Sequence, residues 1–370
     1  MQRIYKNKLL VISKMGKLAL FKFAYFVSII LTFILTVVSI LGAFAGNVHP
    51  RLNMFMTSIG LALPILLIIN AIIFFYWIIR RKIWFILPLF AIVANFNFIS
   101  ATIQWNNSNE IPEGHVVKVM SFNARGFIDD DQEDAVDEIK NFIEENRINV
   151  VCFQEYRDYV NGRPERVGKF LENLFPYQVM TNNVATFSKF PIIKKDYITF
   201  RESNNCAQWI DIELERNKHV RIFNVHMQTT GVNSTLRQTA KMERKGIHID
   251  KGTQVEMVAN RMGHEYIRRA EQADIISDII KETNFATVLC GDFNDTPASY
   301  TYQKLKGKLN DGFKTAGHGY MYTYRGVKGL MRIDYILHSQ ELKGVDYYSP
   351  NYRWSDHNPV IMEMVFPKNE

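Results

Sequence analysis

The chain has few cysteines, and its acids are missing from one region altogether. Cys152, Cys206 and Cys290 are the only thiols in 370 residues. Their spacing matches no metal-binding pattern, and three thiols cannot make a disulfide framework. Cys152 and Cys290 lie inside apolar runs and are read as buried thiols. There is no G-x-S-x-G, which argues against a serine nucleophile on an elbow turn. There is no G-x-x-x-x-G-K to cradle a nucleotide phosphate. Repeats and low-complexity runs are also lacking.

The more informative absence is that of Asp and Glu from Met1 to Asn109. That stretch holds ten Lys or Arg and no acid, so residues 110–370 hold the other 34 of 44 basic residues against all 37 acids. The net charge of +7 therefore belongs to the first third, and the remainder is at 34 − 37 = −3. A basic isoelectric point here does not indicate a nucleic-acid footprint.

The first third instead carries long apolar runs, at 18–46, 52–79 and 83–103. Each reaches the roughly 20 residues needed to cross a bilayer, which predicts three transmembrane helices in a membrane region over 1–103. The first run is too long for a signal-peptide core, and two more follow it. Lys6, Lys8, Lys14 and Lys17 precede it, and Arg80-Arg81-Lys82 separates the second from the third. Positive-inside places both basic segments in the cytoplasm and everything after Ile103 outside, periplasmic if the membrane is a bacterial inner membrane. Residues 104–115, "QWNNSNEIPEGH", read as a linker.

From residue 116 apolar strand patterns alternate with helical ones. Strands are expected at 116–122, 149–155, 184–188, 208–214, 220–227, 287–293, 332–338 and 359–366, and helices at 133–146, 164–175 and 254–282. The last helix places Val255, Val258, Met262, Tyr266, Ala270, Ala273 and Ile276 on one stripe, read as core-facing. This is an α/β pattern with sheet layers covered by helices.

Several of these strands end in polar residues. "VLCGDFNDTP" runs from an apolar strand into Asp292, Asn294 and Asp295. "SFNARG" places Asn123 after its strand, "VVCFQE" ends in Glu155, and "IFNVHM" puts Asn224 and His226 on one side. "SDHNPV" places Asp356 and His357 just before the last strand. Each alone reads equally as a turn or a solvated strand end. Asp334, between Ile333 and Tyr335, is different, because a carboxylate in an apolar strand needs a partner. Carboxylates and amides without thiolates suit a hard oxygen-loving cation such as Mg²⁺, with Mn²⁺ the alternative. Such a cation, an acid that deprotonates water and an acid-held histidine together make a phosphoester chemistry.

"SFNARG", "FQE", "FSKFPI", "NVHM", "GDFNDTP", "RIDYIL" and "SDHNPV", in that order, resemble the endonuclease/exonuclease/phosphatase superfamily of metal-dependent phosphoesterases. The resemblance spans residues 116–367 and implies a four-layer α/β sandwich, two stacked and mainly antiparallel sheets flanked by helices. It implies that Glu155 binds the metal, with Asn123 supporting it and Asp356 close by. It further implies that Asp292 orients or deprotonates the attacking water and that Asn294 contacts the phosphate. His357, oriented by Asp334, would face the phosphoryl oxygens, and His226 would be a second histidine beside them. "NVHM" departs from the abasic-site endonuclease pattern, and "RIDYIL" from that of the inositol polyphosphate 5-phosphatases. Deoxyribonuclease-like and sphingomyelinase-like activities remain.

The function expected is therefore an integral-membrane, Mg²⁺-dependent hydrolase of a phosphodiester, with a lipid or other surface-held substrate favoured. An extracytoplasmic endonuclease and a catalytically silent membrane-tethered module are the alternatives. The basic residues Arg237, Lys241, Arg244, Lys245, Lys251 and Arg261 in an apparent insertion over 231–264 read as a solvated loop, or as a contact to lipid heads or a nucleic-acid backbone. Trp209, Tyr322, Tyr324 and Trp354 are candidates to cover a substrate.

Overall fold

The computed structural model describes residues 2–106, 112–129, 131, 133–162, 165–327 and 329–368, with residues 2–16 by backbone alone. Part of the expected linker, residues 107–111, lies outside the described residues.

Helix α1 (Gln2–Gly42) and helix α2 (Met54–Ile79) form an antiparallel hairpin and are long and apolar enough to cross a membrane. The Asn53 side chain caps α2 by accepting from the Met56 N–H. The third expected span does not form one helix. It breaks into a 3₁₀ turn (Ile83–Phe85), α3 (Ile86–Ala94) and α4 (Phe96–Ser100). Residues 83–94 rise only about 18 Å, against the roughly 30 Å of a bilayer core. Pro88 removes an N–H from the first turn of α3. At the break, the Asn95 side chain donates to the Ala91 carbonyl, competing with the helix's own ladder.

The segment still runs back along α1. Trp84 Nε1 donates to the Tyr25 hydroxyl at one end, and Asn95 Nδ2 to the Ser39 carbonyl at the other. Asn70 to Ser39 and Trp77 to Thr32 join α2 to α1 in the same way, so buried polar pairs hold the bundle.

After β1 (Ile103–Trp105) come β2 (Gly114–Asn123), α5 (Val136–Glu145), β3 (Val150–Gln154), α6 (Val167–Leu171), β4 (Tyr177–Thr181) and β5 (Val184–Ser188). Next are β6 (Ile192–Thr199), β7 (Cys206–Glu215), β8 (Lys218–His226), α7 (Val232–Arg244), α8 (Lys251–Lys281), β9 (Ala286–Asp292) and α9 (Tyr300–Lys306). The chain ends with β10 (Asn310–Asp311), α10 (Gly312–Ala316), β11 (His318–Tyr320), β12 (Asp334–His338), β13 (Lys343–Tyr348) and β14 (Val360–Pro367). Two six-stranded sheets result, in the orders β10-β12-β9-β8-β7-β6 and β13-β14-β2-β3-β5-β4, while β1 pairs with β11. Pairing is antiparallel except for β2 with β3 and β8 with β9, one parallel pair at the centre of each sheet. The stacked faces bury Val119, Cys152, Ile222, Val288 and Cys290, and helices cover both outer faces. All three thiols are free and buried, as the apolar context of two of them led us to expect.

A buried polar layer crosses between the sheets. Gln154 Nε2 donates to Asn224 Oδ1, and Asn224 Nδ2 donates to the Phe153 and Ala185 carbonyls. Asn224 is thereby a sheet-to-sheet tie. The α8 stripe is only half core-facing: Tyr266, Ala270, Ala273 and Ile276 are buried, but Val255 is 68% exposed. The first half of α8 extends past the sheet and packs instead with α7, so the basic segment 231–264 is helical over most of its length.

The membrane-type bundle and the sandwich share a buried joint. Arg332 makes two 2.7 Å bonds to Asp311 and donates to the Ala101 carbonyl and the Tyr347 hydroxyl. Both charged side chains are fully buried. Asp311→Ala would strand the guanidinium, and a loss of about 3–5 kcal/mol is expected. Denaturation of the full-length protein measures it, and Asp311→Leu combined with Arg332→Met should recover most of that loss.

Candidate active site

The polar strand ends converge because both parallel pairs point the same way. Asn123 and Gln154 are register partners at the end of β2 and β3, and His226 and Asp292 at the end of β8 and β9. Their carboxyl ends meet at one edge of the sandwich, with Glu155 next in the chain. β12 runs antiparallel to β9 and sets Asp334 directly opposite Asp292. Gly291 makes this packing possible: a Cβ there would lie 1.9 Å from the Val225 carbonyl oxygen, and its φ is +143°.

The "GDFND" stretch is both a turn and a site. The Asp292 carboxylate accepts the Asn294 backbone N–H at 2.8 Å, which closes the turn. It also accepts Asn123 Nδ2 at 3.0 Å and Asn294 Nδ2 at 3.2 Å. Asn294 donates as well to the Met227 carbonyl, and both Asn294 (φ +53°) and Glu155 (φ +49°) sit in the left-handed region. Strained backbone of this kind clusters at working sites.

His357 Nδ1 donates to Asp334 at 2.9 Å, and its Nε2 lies 3.9 Å from Asp292. Burial works against an imidazolium, but Asp334 and Asp292 outweigh it and push the His357 pKa up to about 10. Burial, then the facing Asp334, pushes Asp292 up to about 7 despite His357 and Asn123. His226 goes the other way. Burial lowers it to about 4, and Glu155 opposes that shift only in part. Its Nδ1 accepts from Asn183 Nδ2 at 2.8 Å, which places the proton of the neutral ring on Nε2. That nitrogen is buried, 4.0 Å from both Glu155 and Asp292, and finds no hydrogen-bond partner among the described residues.

All eight residues singled out from the sequence therefore stand together. Asp292, Asp334, His357 and His226 form the buried floor, while Asn294, Glu155 and Asp356 are half-buried and line the cleft above it. Asn123 bridges the two, donating to Glu155 at 3.2 Å as well as to Asp292. The tightest cluster of potential metal ligands is Asp292, Asp334 and His357, whose ligand atoms lie within 4.8 Å of one another. Asp334 is already bonded to His357 Nδ1, and Asp292 already accepts from Asn123 and Asn294. Glu155 and Asp356 instead offer carboxylate oxygens at an open cleft, which fits a cation that keeps part of its water shell.

Other residues at the site were given no role from the sequence. Asn183 sets the His226 tautomer from the end of a hairpin 43 residues away. Ser355 ties the "SDH" segment to the Asn123 carbonyl. Of the four aromatics considered, only Tyr324 reaches the site, with its ring 5.1 Å from that of His357. Trp354 packs on Phe122, Phe142 and Tyr352, Trp209 lies beneath the Arg221 guanidinium, and Tyr322 packs against Tyr320.

A family model described as "Endonuclease/Exonuclease/phosphatase family" matches residues 120–357. A second, described as a domain of unknown function, matches residues 22–102. No curated relative matches. Among solved structures the chain is similar to an endonuclease/exonuclease/phosphatase from Beutenbergia cavernae (16% identity, 68% of this chain and 72% of that one, TM-score 0.49). It is also similar to truncated Caenorhabditis elegans TDP2 (17%, 68% and 98%, 0.49) and to a mannosyl-6-phosphatase from Bacteroides thetaiotaomicron (18%, 68% and 100%, 0.47). With the family model covering well over half of its length, the chain belongs to the endonuclease/exonuclease/phosphatase family, whose members are hydrolytic phosphoesterases.

Proposed function

We propose that the protein is a membrane-anchored, Mg²⁺-dependent phosphoesterase that hydrolyses a phosphodiester in a lipid or another surface-held molecule. The observation that carries this reading is the convergence of His357 and His226 to within about 4 Å of Asp292, in three different protonation environments, beneath one cleft. Environments that push neighbouring groups apart are how a fold assigns acid and base roles.

Asp292, raised toward neutrality, is basic enough to take a proton from water while that oxygen forms its bond to phosphorus. As this bond forms, the opposite phosphorus–oxygen ester bond breaks, and the departing alkoxide takes a proton from solvent in the cleft. His357, held as an imidazolium by Asp334, turns Nε2–H toward the phosphoryl oxygens, where negative charge grows. His226 adds a neutral Nε2–H donor, and Asn294 stands beside the phosphate. Glu155 and Asp356, with Asn123 alongside, would hold the cation, which supplies charge neutralisation and stabilises the leaving oxygen. Mn²⁺ would meet the same donors.

Anchoring is supported by the outward-facing apolar belt of α1 and α2: Phe21 is 73% exposed, Phe23 68% and Ile72 63%, far beyond scattered surface hydrophobics. The Arg80-Arg81-Lys82 turn lies at one end of α2, and the sandwich packs at the other, where Gly60 meets Ala298. Positive-inside then puts the active site outside the cytoplasm.

With the full-length protein and a chromogenic phosphodiester, Asp292→Ala and His357→Ala should each lower kcat at least about 10³-fold, with the circular dichroism spectrum unchanged. Retained turnover in both variants would reject these roles. Chelation should abolish hydrolysis and Mg²⁺ restore it, and Glu155→Gln should raise the Mg²⁺ needed at least about tenfold. Vesicle lipid hydrolysis without plasmid nicking is the expected substrate pattern. Nicking by the parent and not by Asp292→Ala would put the nuclease first. In bacterial inner membranes, a single cysteine at Lys251 should react with an impermeant maleimide from outside and one at Arg81 should not.

A further inference from the structure

The catalytic cleft has two unlike arms. On one side of Glu155 and Asp356 a cavity of about 500 Å³ is bordered by Arg125, Arg157 and Arg237. On the other a cavity of about 420 Å³ is lined by Asp292 and His357, by the apolar side chains of Met262, Val327, Met331, Ile333 and Leu61, and by Thr229, Thr230, Asn233 and Thr296. Leu61 is not part of the sandwich. It belongs to α2, two turns in from the end of that membrane-type helix.

The same turn that carries the catalytic carboxylate fixes the position of Leu61. Asp292 and Asn294 are followed by Pro297-Ala298, and Ala298 packs against Leu63 and Leu67. Gly60, immediately before Leu61, lets the helix come so close that a Cβ there would sit 3.3 Å from the Ala298 carbonyl oxygen. At Gly46 a Cβ would lie 2.9 Å from the Ser299 carbonyl oxygen. On the far wall Gly263, next to Met262, faces Met54 at the start of α2. Two glycines thus seat the hairpin on the active-site turn, and the approach places a helix side chain in the cleft.

We infer that α2 forms one wall of the substrate site, with Leu61, Met262, Met331 and Ile333 receiving the apolar chain of an amphiphilic phosphodiester whose polar head lies toward Arg125, Arg157 and Arg237. This rests on the phosphodiesterase reading above and deepens it: Leu61 is a specificity-determining residue supplied by the membrane region. The occupant follows from continuity. The apolar arm begins at the reacting phosphorus and ends on a helix whose other faces carry the exposed apolar belt. A nucleic acid is polar on both sides of its phosphate and has nothing to put in that arm.

The test uses the full-length protein in nanodiscs and p-nitrophenyl n-alkyl phosphodiesters from methyl to octyl, all monomeric. Water attacks phosphorus, p-nitrophenolate leaves, and the alkyl phosphate remains. Each buried methylene favours reaction by up to about fourfold, so kcat/KM should rise at least about thirtyfold along the series. Leu61→Asn, and independently Met331→Asn on the sandwich side, should compress that rise to about threefold or less, while Leu61→Met keeps it. A flat series in the parent, or an equal rise in the parent and both Asn variants, overturns the inference while hydrolysis itself stands. If the parent cleaves no member of the series, the phosphodiesterase reading fails, and the inference fails with it.

Discussion

Everything at the active edge depends on one unfavourable contact, the placement of two carboxylates opposite each other on neighbouring strands. Asp292 and Asp334 are cross-strand partners buried to the same degree, an arrangement that is repulsive in any sheet and more so without water. The fold answers with a cation, the His357 imidazolium, bonded to one acid and within 4 Å of the other. It adds donors from Asn123 and the Asn294 backbone to Asp292. These contacts draw three segments far apart in the chain to the same place. Burial and that contact together raise the basicity of Asp292, and the same two carboxylates hold the charge on His357.

That geometry explains why the sequence was readable where it was. Eight strands are legible as apolar runs: β2, β3, β5, β7, β8, β9, β12 and β14. These are the interior strands of the two sheets. The edges β4, β6, β10 and β13 went unread, because an edge strand has one solvated flank and no need for a continuous apolar run; β6, "IIKKDYIT", is mostly exposed. The active-site residues stand at the ends of, or immediately beyond, interior strands, so the site inherited the legibility of the core. Asp334 signalled itself by its cost, a charge in an apolar strand.

What could not be read follows equally physical lines. The third apolar run has the composition of a span, but Pro88 and Asn95 act on backbone hydrogen bonds, and hydropathy does not register them. The α8 stripe has the right period, yet period says only that residues share a face; Val255 shows that the sheet stops before the helix does. Asn183 and Leu61 were beyond reach for another reason. Each matters through a neighbour 43 residues or more away, and nothing local marks either.

As the proposed wall of the substrate site, Leu61 would give the N-terminal third a role beyond anchoring. An anchor needs only length and apolarity, and a linker of any conformation would serve it. Here the bundle is joined to the sandwich at two points, both within three residues of candidate site residues. The Pro297-Ala298 turn, three residues past Asn294, is seated against Gly60 and Leu63. Arg332, two residues before Asp334, reaches the Ala101 carbonyl where the chain leaves the bundle. The two opposed carboxylates are therefore each tied, through their own strand ends, to the apolar helices. A displacement of the bundle would have to break the buried Arg332–Ala101 hydrogen bond or open a close glycine contact, so the hairpin and this edge of the sandwich are mechanically coupled.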